Sequence, residues 1–254
     1  MLKINGQSAG VLKKLAYIIG LLLTDGWFSE ITDKHTIKGK IYSYKILRMG
    51  IGLNDKELVL KFQQNINQLF GRELRLQKLD DKGKMRYSVT IQHKPTVRYL
   101  YDLTEGKVIV PKILMNASDD IKRELIAGAM DGDGWISISK DRRKFTHPGQ
   151  QTERRIGVNG GTGLLFMMGF SGNGEHFDQI LKCMEDVGIK LKSRGYKRNK
   201  HSVTEVVNMN IVSFINSGCY FECFRKQARL TQYKKLILRN SPETTKDTPT
   251  KEKV

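Results

Sequence analysis

Two aspartates share a local pattern. Asp25 and Asp133 lie 108 positions apart, and each is followed by Gly and then Trp. Each also closes an apolar, helix-like run, LAYIIGLLLTDG in the first case and RELIAGAMDGDG in the second. A carboxylate in the last turn of a helix meets the negative end of the macrodipole, which costs roughly 0.3–1 kcal/mol at an exposed site. A single Asp–Gly is commonly only a turn signal. Two in the same helix-end context, each with small residues on the packing face, point to chemistry instead. A bound cation relieves the cost. Two carboxylates at paired helix ends, with backbone carbonyls nearby, make an oxygen-rich site for Mg²⁺ or another divalent cation such as Mn²⁺.

The elements that must bring the acids together can be read outward from them. Gly20 and Thr24 are four apart on one helix face, as are Gly128 and Gly132. Small residues at that spacing let two helix backbones approach closely. Gly26 and Gly134 suit the left-handed position that closes a helix. After each motif comes a strand-like run, then an amphipathic stretch, DKELVLKFQQNINQLFG and EHFDQILKCMEDVG. Alternating segments follow around a polar turn: GRELRLQKL, DDKGK and MRYSVTIQ in the first half, IKLKSRGY, KRNK and SVTEVVNMN in the second. Each half therefore reads helix, two strands, helix, two strands, helix, and the chain is an internal repeat. The expected organisation is a first half over residues 1–103, a linker over 104–120, a second half over 121–239 and a flexible tail over 240–254. The second half carries an extra Gly-, Arg- and Gln-rich loop over residues 141–162. Ser118 or Asp119 is a plausible N-cap for the second motif helix.

Composition narrows the partners. The chain has 254 residues, with 44 Lys and Arg against 26 Asp and Glu, a formal net charge of +18. The excess is shared, +10 over residues 1–118 and +8 over the rest, so each half carries its own basic surface. A charge of this size favours a polyanionic partner. No stretch has the length of a membrane span. The apolar run Leu15–Leu23 imitates a signal peptide, but the pattern returns in mid-chain. Cys183, Cys219 and Cys223 are too few for a disulfide framework and lack the partners of a zinc site, so reduced core thiols in an intracellular protein are expected.

The segments IIGLLLTDG (18–26) and IAGAMDGDG (126–134) resemble the two signature motifs of the LAGLIDADG homing endonucleases, in the single-chain form with two motifs. The resemblance extends over about residues 10–239. It implies an α+β fold: two pseudo-symmetric αββαββα units whose antiparallel sheets form a saddle over duplex DNA, with helices packed on the opposite face. It implies metal binding by the last acid of each motif, here Asp25 and Asp133, and by the backbone carbonyl before it, here Thr24 and Gly132. Leu23 departs from the signature where Asp131 keeps it, and the resemblance gives that position no catalytic role. Similar proteins carry a lysine before the linker proline. Here KVIVP places Lys107 one residue further from Pro111 than usual, with Lys112 the second choice. Solvated linker charge is the other reading of both. Asn54 and Asn173 align in the repeat at positions that order active-site water in the family. Helix capping or turn chemistry is their other reading.

Alternation assigns the reading face. Arg75 and Gln77 point away from Leu74 and Leu76, and Arg86, Ser88, Thr90 and Gln92 away from Tyr87, Val89 and Ile91. In the second half Lys190, Lys192 and Arg194 point away from Ile189 and Leu191. Such rows suit major-groove readout. Tyr42, Tyr44 and Arg48 on the earlier strand join them. The turns DDKGK and KRNK, with Lys197 and Arg198, are expected to reach the backbone or outer bases.

The function expected is site-specific, Mg²⁺-dependent double-strand cleavage of a long DNA target. The products would carry 5′-phosphate and 3′-hydroxyl ends with a short stagger. The alternatives are an intron RNA maturase, with host intron RNA as partner, and a DNA-binding protein of the same fold that has lost cleavage. A monomer is expected, because two motifs already supply the pairing. A chain that starts at Met1 and lacks protein-splicing patterns at its ends suggests a free-standing, intron-type protein of an archaeal cytoplasm or an organelle.

Overall fold

A computed structural model describes residues 8–81, 83–140, 155–156, 164–199 and 202–240. The expected loop over residues 141–162 lies outside these apart from two strand residues, and the expected tail lies outside them from residue 241.

The first half runs α1 (Ala9–Asp25), β1 (Gly26–Ile37), β2 (Lys40–Leu53), α2 (Lys56–Phe70), β3 (Gln77–Asp81), β4 (Lys84–Ile91) and α3 (Lys94–Leu103). Its antiparallel sheet has the order β1-β2-β4-β3. The β1–β2 hairpin closes on two left-handed residues, Lys38 and Gly39, at φ 51° and 77°, the geometry whose twist matches the flanking strands. A short α4 (Lys112–Met115) follows. The second half runs α5 (Asp119–Gly132), β5 (Gly134–Lys140), β6 (Arg155–Ile156), β7 (Leu164–Gly172), α6 (Glu175–Asp186), β8 (Leu191–Asn199), β9 (Ser202–Met209), α7 (Ile211–Asn216) and α8 (Phe224–Asn240). Its sheet has the order β5-β7-β9-β8, with β6 paired to β7. The α+β class and the repeated unit are as the sequence implies. Three details differ. β3 starts only at Gln77, so Arg75 precedes it. β8 continues through residues 197–199, expected as a turn. An additional helix, α8, follows the second unit.

The two motif helices lie against each other at the centre. Every residue of α1 from Leu15 to Leu23 is buried, which explains why its sequence is apolar on all sides. A Cβ on Gly20 would stand 2.1 Å from the Leu125 carbonyl oxygen, and one on Gly128 2.3 Å from that of Tyr17. The helices therefore touch backbone to backbone. Around this seam the core is built from one face of each sheet: Met49, Ile51, Val89 and Ile91 in the first, Ile136, Phe166, Met168, Phe170, Val207 and Met209 in the second. The three cysteines are free and buried. Among the described residues no helix is long and apolar enough to cross a membrane.

The glycines after the acids do not play the part the sequence suggests. Gly26 is extended, at φ −77° and ψ 168°, and Gly134 is not at positive φ. The strand leaves the helix at once, with no left-handed turn. Side chains are excluded there for another reason. A Cβ on Gly26 would meet Leu22 backbone atoms at 2.6–2.7 Å, and one on Gly134 those of Met130 at 2.4–2.6 Å.

Candidate active site

Asp25 is the last residue of α1, and Asp133 caps the end of α5. Close helix packing carries them together. The Cβ that Gly132 lacks would lie 2.1 Å from Thr24 Oγ1 and 3.1 Å from Asp25 Oδ2, so one acid folds over the residue that precedes the other. Burial and the nearby Asp25 charge push the Asp133 carboxyl up to about 6, against the pull of Lys107 and Lys226. Burial also raises Asp25, opposed by Lys226, Lys107 and Arg86. Half-buried acids that resist ionisation beside each other are the electrostatic mark of a place that takes a cation.

Two lysines flank the acids in matching positions. Lys107 Nζ donates to the carbonyls of Thr24, at 3.1 Å, and Gly26, at 2.5 Å. Lys226 Nζ donates to the carbonyls of Met130, Asp131 and Gly132, at 2.9, 2.6 and 3.1 Å. Each ammonium thus satisfies carbonyls that a helix end leaves without partners, and stands at the negative end of that helix. Lys107 is held in the left-handed region, at φ 81°, a conformation that costs a non-glycine residue about 1–3 kcal/mol. Burial lowers the pKa of both lysines, and the charges of Asp25 and Asp133 oppose this at Lys107. Lys112 is exposed on α4. Lys226 is absent from the sequence reading, because a basic residue in a basic helix reads as solvated charge. The repeat held the available signal, since α8 supplies the first basic residues beyond α7, as the linker does beyond α3.

Asp131 has a structural task. It is 2% exposed and accepts from Tyr17 Oη at 2.9 Å and from the backbone N–H groups of Glu222 and Cys223 at 3.0–3.2 Å. It thereby caps the entry to α8 and aims Lys226. Leu23, its counterpart, is buried in apolar packing. Asn173 is also structural. Its side chain donates to the Val203 carbonyl and accepts from Glu205 N–H, which brackets β9 rather than reaching toward the acids. The turn-chemistry reading therefore describes Asn173. Asn54 differs: it is exposed and lines a cleft with Gly52, Leu53, Lys84 and Arg86.

The solvent-side face of the first sheet begins beside Asp25. Register places Trp27, Ser29, Asp33 and His35 on this face with Tyr42, Tyr44, Arg48, Gly50 and Gly52, and then with Gln77, Arg86, Ser88 and Thr90. Arg48 Nε donates to Ser29 Oγ at 2.8 Å, and its guanidinium lies over the Trp27 ring. Tyr44 Oη donates to Asp33 at 3.1 Å, and its ring stacks on His35. Ser88 Oγ donates to Gln77 at 3.4 Å. Arg75 and Gln92 are exposed just outside the strands. Each tryptophan after an acid lies against a glycine of the next strand, Trp27 on Gly50 and Trp135 on Gly169.

The second face departs from simple alternation. Leu191 pairs with Met209 but Ser193 with Asn208, so Lys192 is the extra residue of a β-bulge. Beyond it the pattern inverts. Arg194 turns to the helix side, where it forms ion pairs with Asp178 and Glu205 and lies over the Phe177 ring. The expectation that Arg194 shares a reading row with Lys190 and Lys192 is corrected by this bulge. Lys190 and Lys192 are exposed and line a cleft with Met167 and Asn208. Lys197 is exposed and pairs with Thr204 on the solvent-side face. The side chain of Arg198 lies outside what the structure describes.

These residues fit a hard divalent cation. The donors are all oxygen, two carboxylates and the carbonyls of Thr24 and Gly132, and burial holds both acids raised in spite of the nearby lysines. The two carbonyls now accept from Lys107 and Lys226, so each already faces a cation.

Neither a protein-family model nor a curated protein sequence matches the chain. Solved structures do. A structure of mesophilic variants of the homing endonuclease I-DmoI superposes with a TM-score of 0.51 at 15% identity, covering 82% of this chain and 93% of that one. A glycine-to-serine variant of I-DmoI, in complex with its target DNA in the presence of 2 mM Mg, gives 0.51 at 13% identity, with 83% and 97% covered. A lysine-to-alanine mutant of I-SmaMI gives 0.54 at 11% identity, with 89% and 92% covered. With two αββαββα units joined along paired motif helices, this chain has the fold of the single-chain LAGLIDADG homing endonucleases.

Proposed function

We propose that the protein is a site-specific homing endonuclease. It acts as a single chain on a long duplex DNA target and hydrolyses one phosphodiester in each strand, with Mg²⁺, to leave 5′-phosphate and 3′-hydroxyl ends. The observation that carries the reading is the meeting of Asp25 and Asp133 at the helix seam, flanked by the half-buried Lys107 and the buried Lys226 and at the root of a sheet face. The solved complex of a similarly folded protein with its target DNA and Mg supports it.

In this reading Asp25 and Asp133, with the carbonyls of Thr24 and Gly132, hold the divalent cation. When bound, it supplies an activated water and neutralises charge on the phosphate and the departing oxygen. Lys107 and Lys226 keep positive charge beside the acids. They offset the negative charge that builds up on the phosphate, in a partly dehydrated place where such an interaction is strong. Arg48, Gln77, Ser88 and Thr90 on the first face, with Lys192 and Lys197 on the second, contact bases and backbone.

The test is cleavage of a plasmid library of randomised inserts by the purified protein with Mg²⁺. Linear product of recoverable sequence is expected. Asp25→Asn and Asp133→Asn each abolish double-strand cleavage while binding to the recovered site changes little. Full activity in either variant overturns the metal-site assignment, and no cutting by the unaltered protein overturns the endonuclease reading.

A further inference from the structure

The end of β2 nearest the acids lacks a side chain on the solvent-side face. The row Gly26, Ile51 and Val89 crosses the sheet at the residue after Asp25, and Gly52 follows, paired with Ser88. Arg86 fills the place that Gly52 leaves open. Its Nε and Nη2 lie 3.0 and 3.2 Å from where a Cβ on Gly52 would be, and Nη2 donates to the Gly52 carbonyl at 3.1 Å. The guanidinium therefore bends back along the sheet instead of standing out from it as a base-reading side chain would. Together with Gly52, Leu53, Asn54 and Lys84 it lines a cleft of about 300 Å³. The lining offers a guanidinium, an ammonium and a neutral amide, with no carboxylate. That donor set suits one phosphate group. The Arg86 charge also acts on Asp25, which places it within electrostatic reach of the acid pair.

Among the described residues the second half has no counterpart. Val89 pairs with Ile51 as Val207 pairs with Phe170, so Ser171 stands in the place of Gly52, Thr204 in that of Arg86 and Ser202 in that of Lys84. Lys197, paired with Thr204, occupies the place of Leu79, one strand further from the acids.

Resting on the endonuclease reading, we propose that this cleft seats one backbone phosphate next to the cut made on the first-half side, and that Arg86 is a positioning residue for that strand alone. The two strands then depend on different machinery, although the metal-binding acids are paired.

The experiment uses the full chain and the duplex recovered from the plasmid library, with each strand labelled separately. Arg86→Ala slows cleavage of one strand by about tenfold or more and the other by less than about threefold, so nicked duplex accumulates. Arg86→Lys, which keeps the charge but not the two-pronged donor, falls between. Ethylation of a single phosphate near the cut weakens binding of the unaltered protein and does not weaken binding of Arg86→Ala. Equal slowing of both strands, or the same ethylation pattern in both proteins, overturns the inference and leaves the endonuclease reading standing. Absence of any cleavage by the unaltered protein overturns both.

Discussion

An acid that resists ionisation leaves a thermodynamic trace even where no DNA is present. The Asp133 carboxyl sits at about 6, above its ordinary value of 3.8, because burial and Asp25 both disfavour its charge. The metal-free folded state therefore holds the proton more tightly than the unfolded chain. Its contribution to stability is fully present below about pH 4 and is lost as pH rises through about 6. Asp133→Asn removes this loss. The metal-free variant should be more stable than the unaltered protein by about 1–3 kcal/mol at pH 7 and no more stable at pH 4, as read by denaturant unfolding. Added Mg²⁺ should reverse the order at pH 7, because only the unaltered protein gains from binding. A variant of equal stability at both pH values contradicts the account. The acids were legible because the repeat shows them twice. Lys107 was legible only through the resemblance, and the repeat gave no more than a faint signal for Lys226. Its place depends on Asp131 gripping the backbone at Glu222 and Cys223, a contact 91–92 residues away in sequence.

At the scale of elements, the position of the acids depends on how closely two helices approach. Gly20 and Gly128 bring the backbones of α1 and α5 into contact, and the obstacle to any larger residue is backbone, which cannot turn aside as a side chain can. Gly128→Ala should cost about 3 kcal/mol and lower the midpoint of thermal unfolding. In the fraction that folds, the affinity for Mg²⁺ should also fall, because separating the helices separates the acids. A melting curve unchanged from that of the unaltered protein would show that the helices are not held at this spacing. Spacing of small residues is visible in a sequence, and so the seam was expected. The hinge between helix and strand was misread at Gly26 and Gly134. A glycine needed for lack of room looks the same in sequence as one needed for positive φ. Alternation carried the first sheet correctly through Arg86, Ser88 and Thr90. It failed at Arg194, since a bulge adds one residue without any signal in residue type and transfers every later side chain to the opposite face.

For the whole molecule, a net charge of +18 spread over both halves predicts DNA binding dominated by the release of counterions. If about 6–10 phosphates are contacted, affinity should fall by about 10³–10⁵ between 50 and 200 mM salt. The slope of that dependence separates cations that face the duplex from cations spent inside the fold. Arg48 and Arg194 make the sharpest comparison. Arg48 stands on the solvent-side face over Trp27, bonded among the described residues to a neutral hydroxyl in Ser29. Arg194 is turned to the other side and committed to Asp178 and Glu205. Arg48→Ala should reduce the salt slope by about one contact and leave folding stability nearly unchanged. Arg194→Ala should leave the slope unchanged and lower stability instead, since it frees two carboxylates on the helix side of the second sheet. Binding titrations at four or five salt concentrations, paired with a melting curve for each variant, decide the matter. A lower slope for Arg194→Ala would mean that the bulge at Lys192 does not set which face of β8 meets DNA.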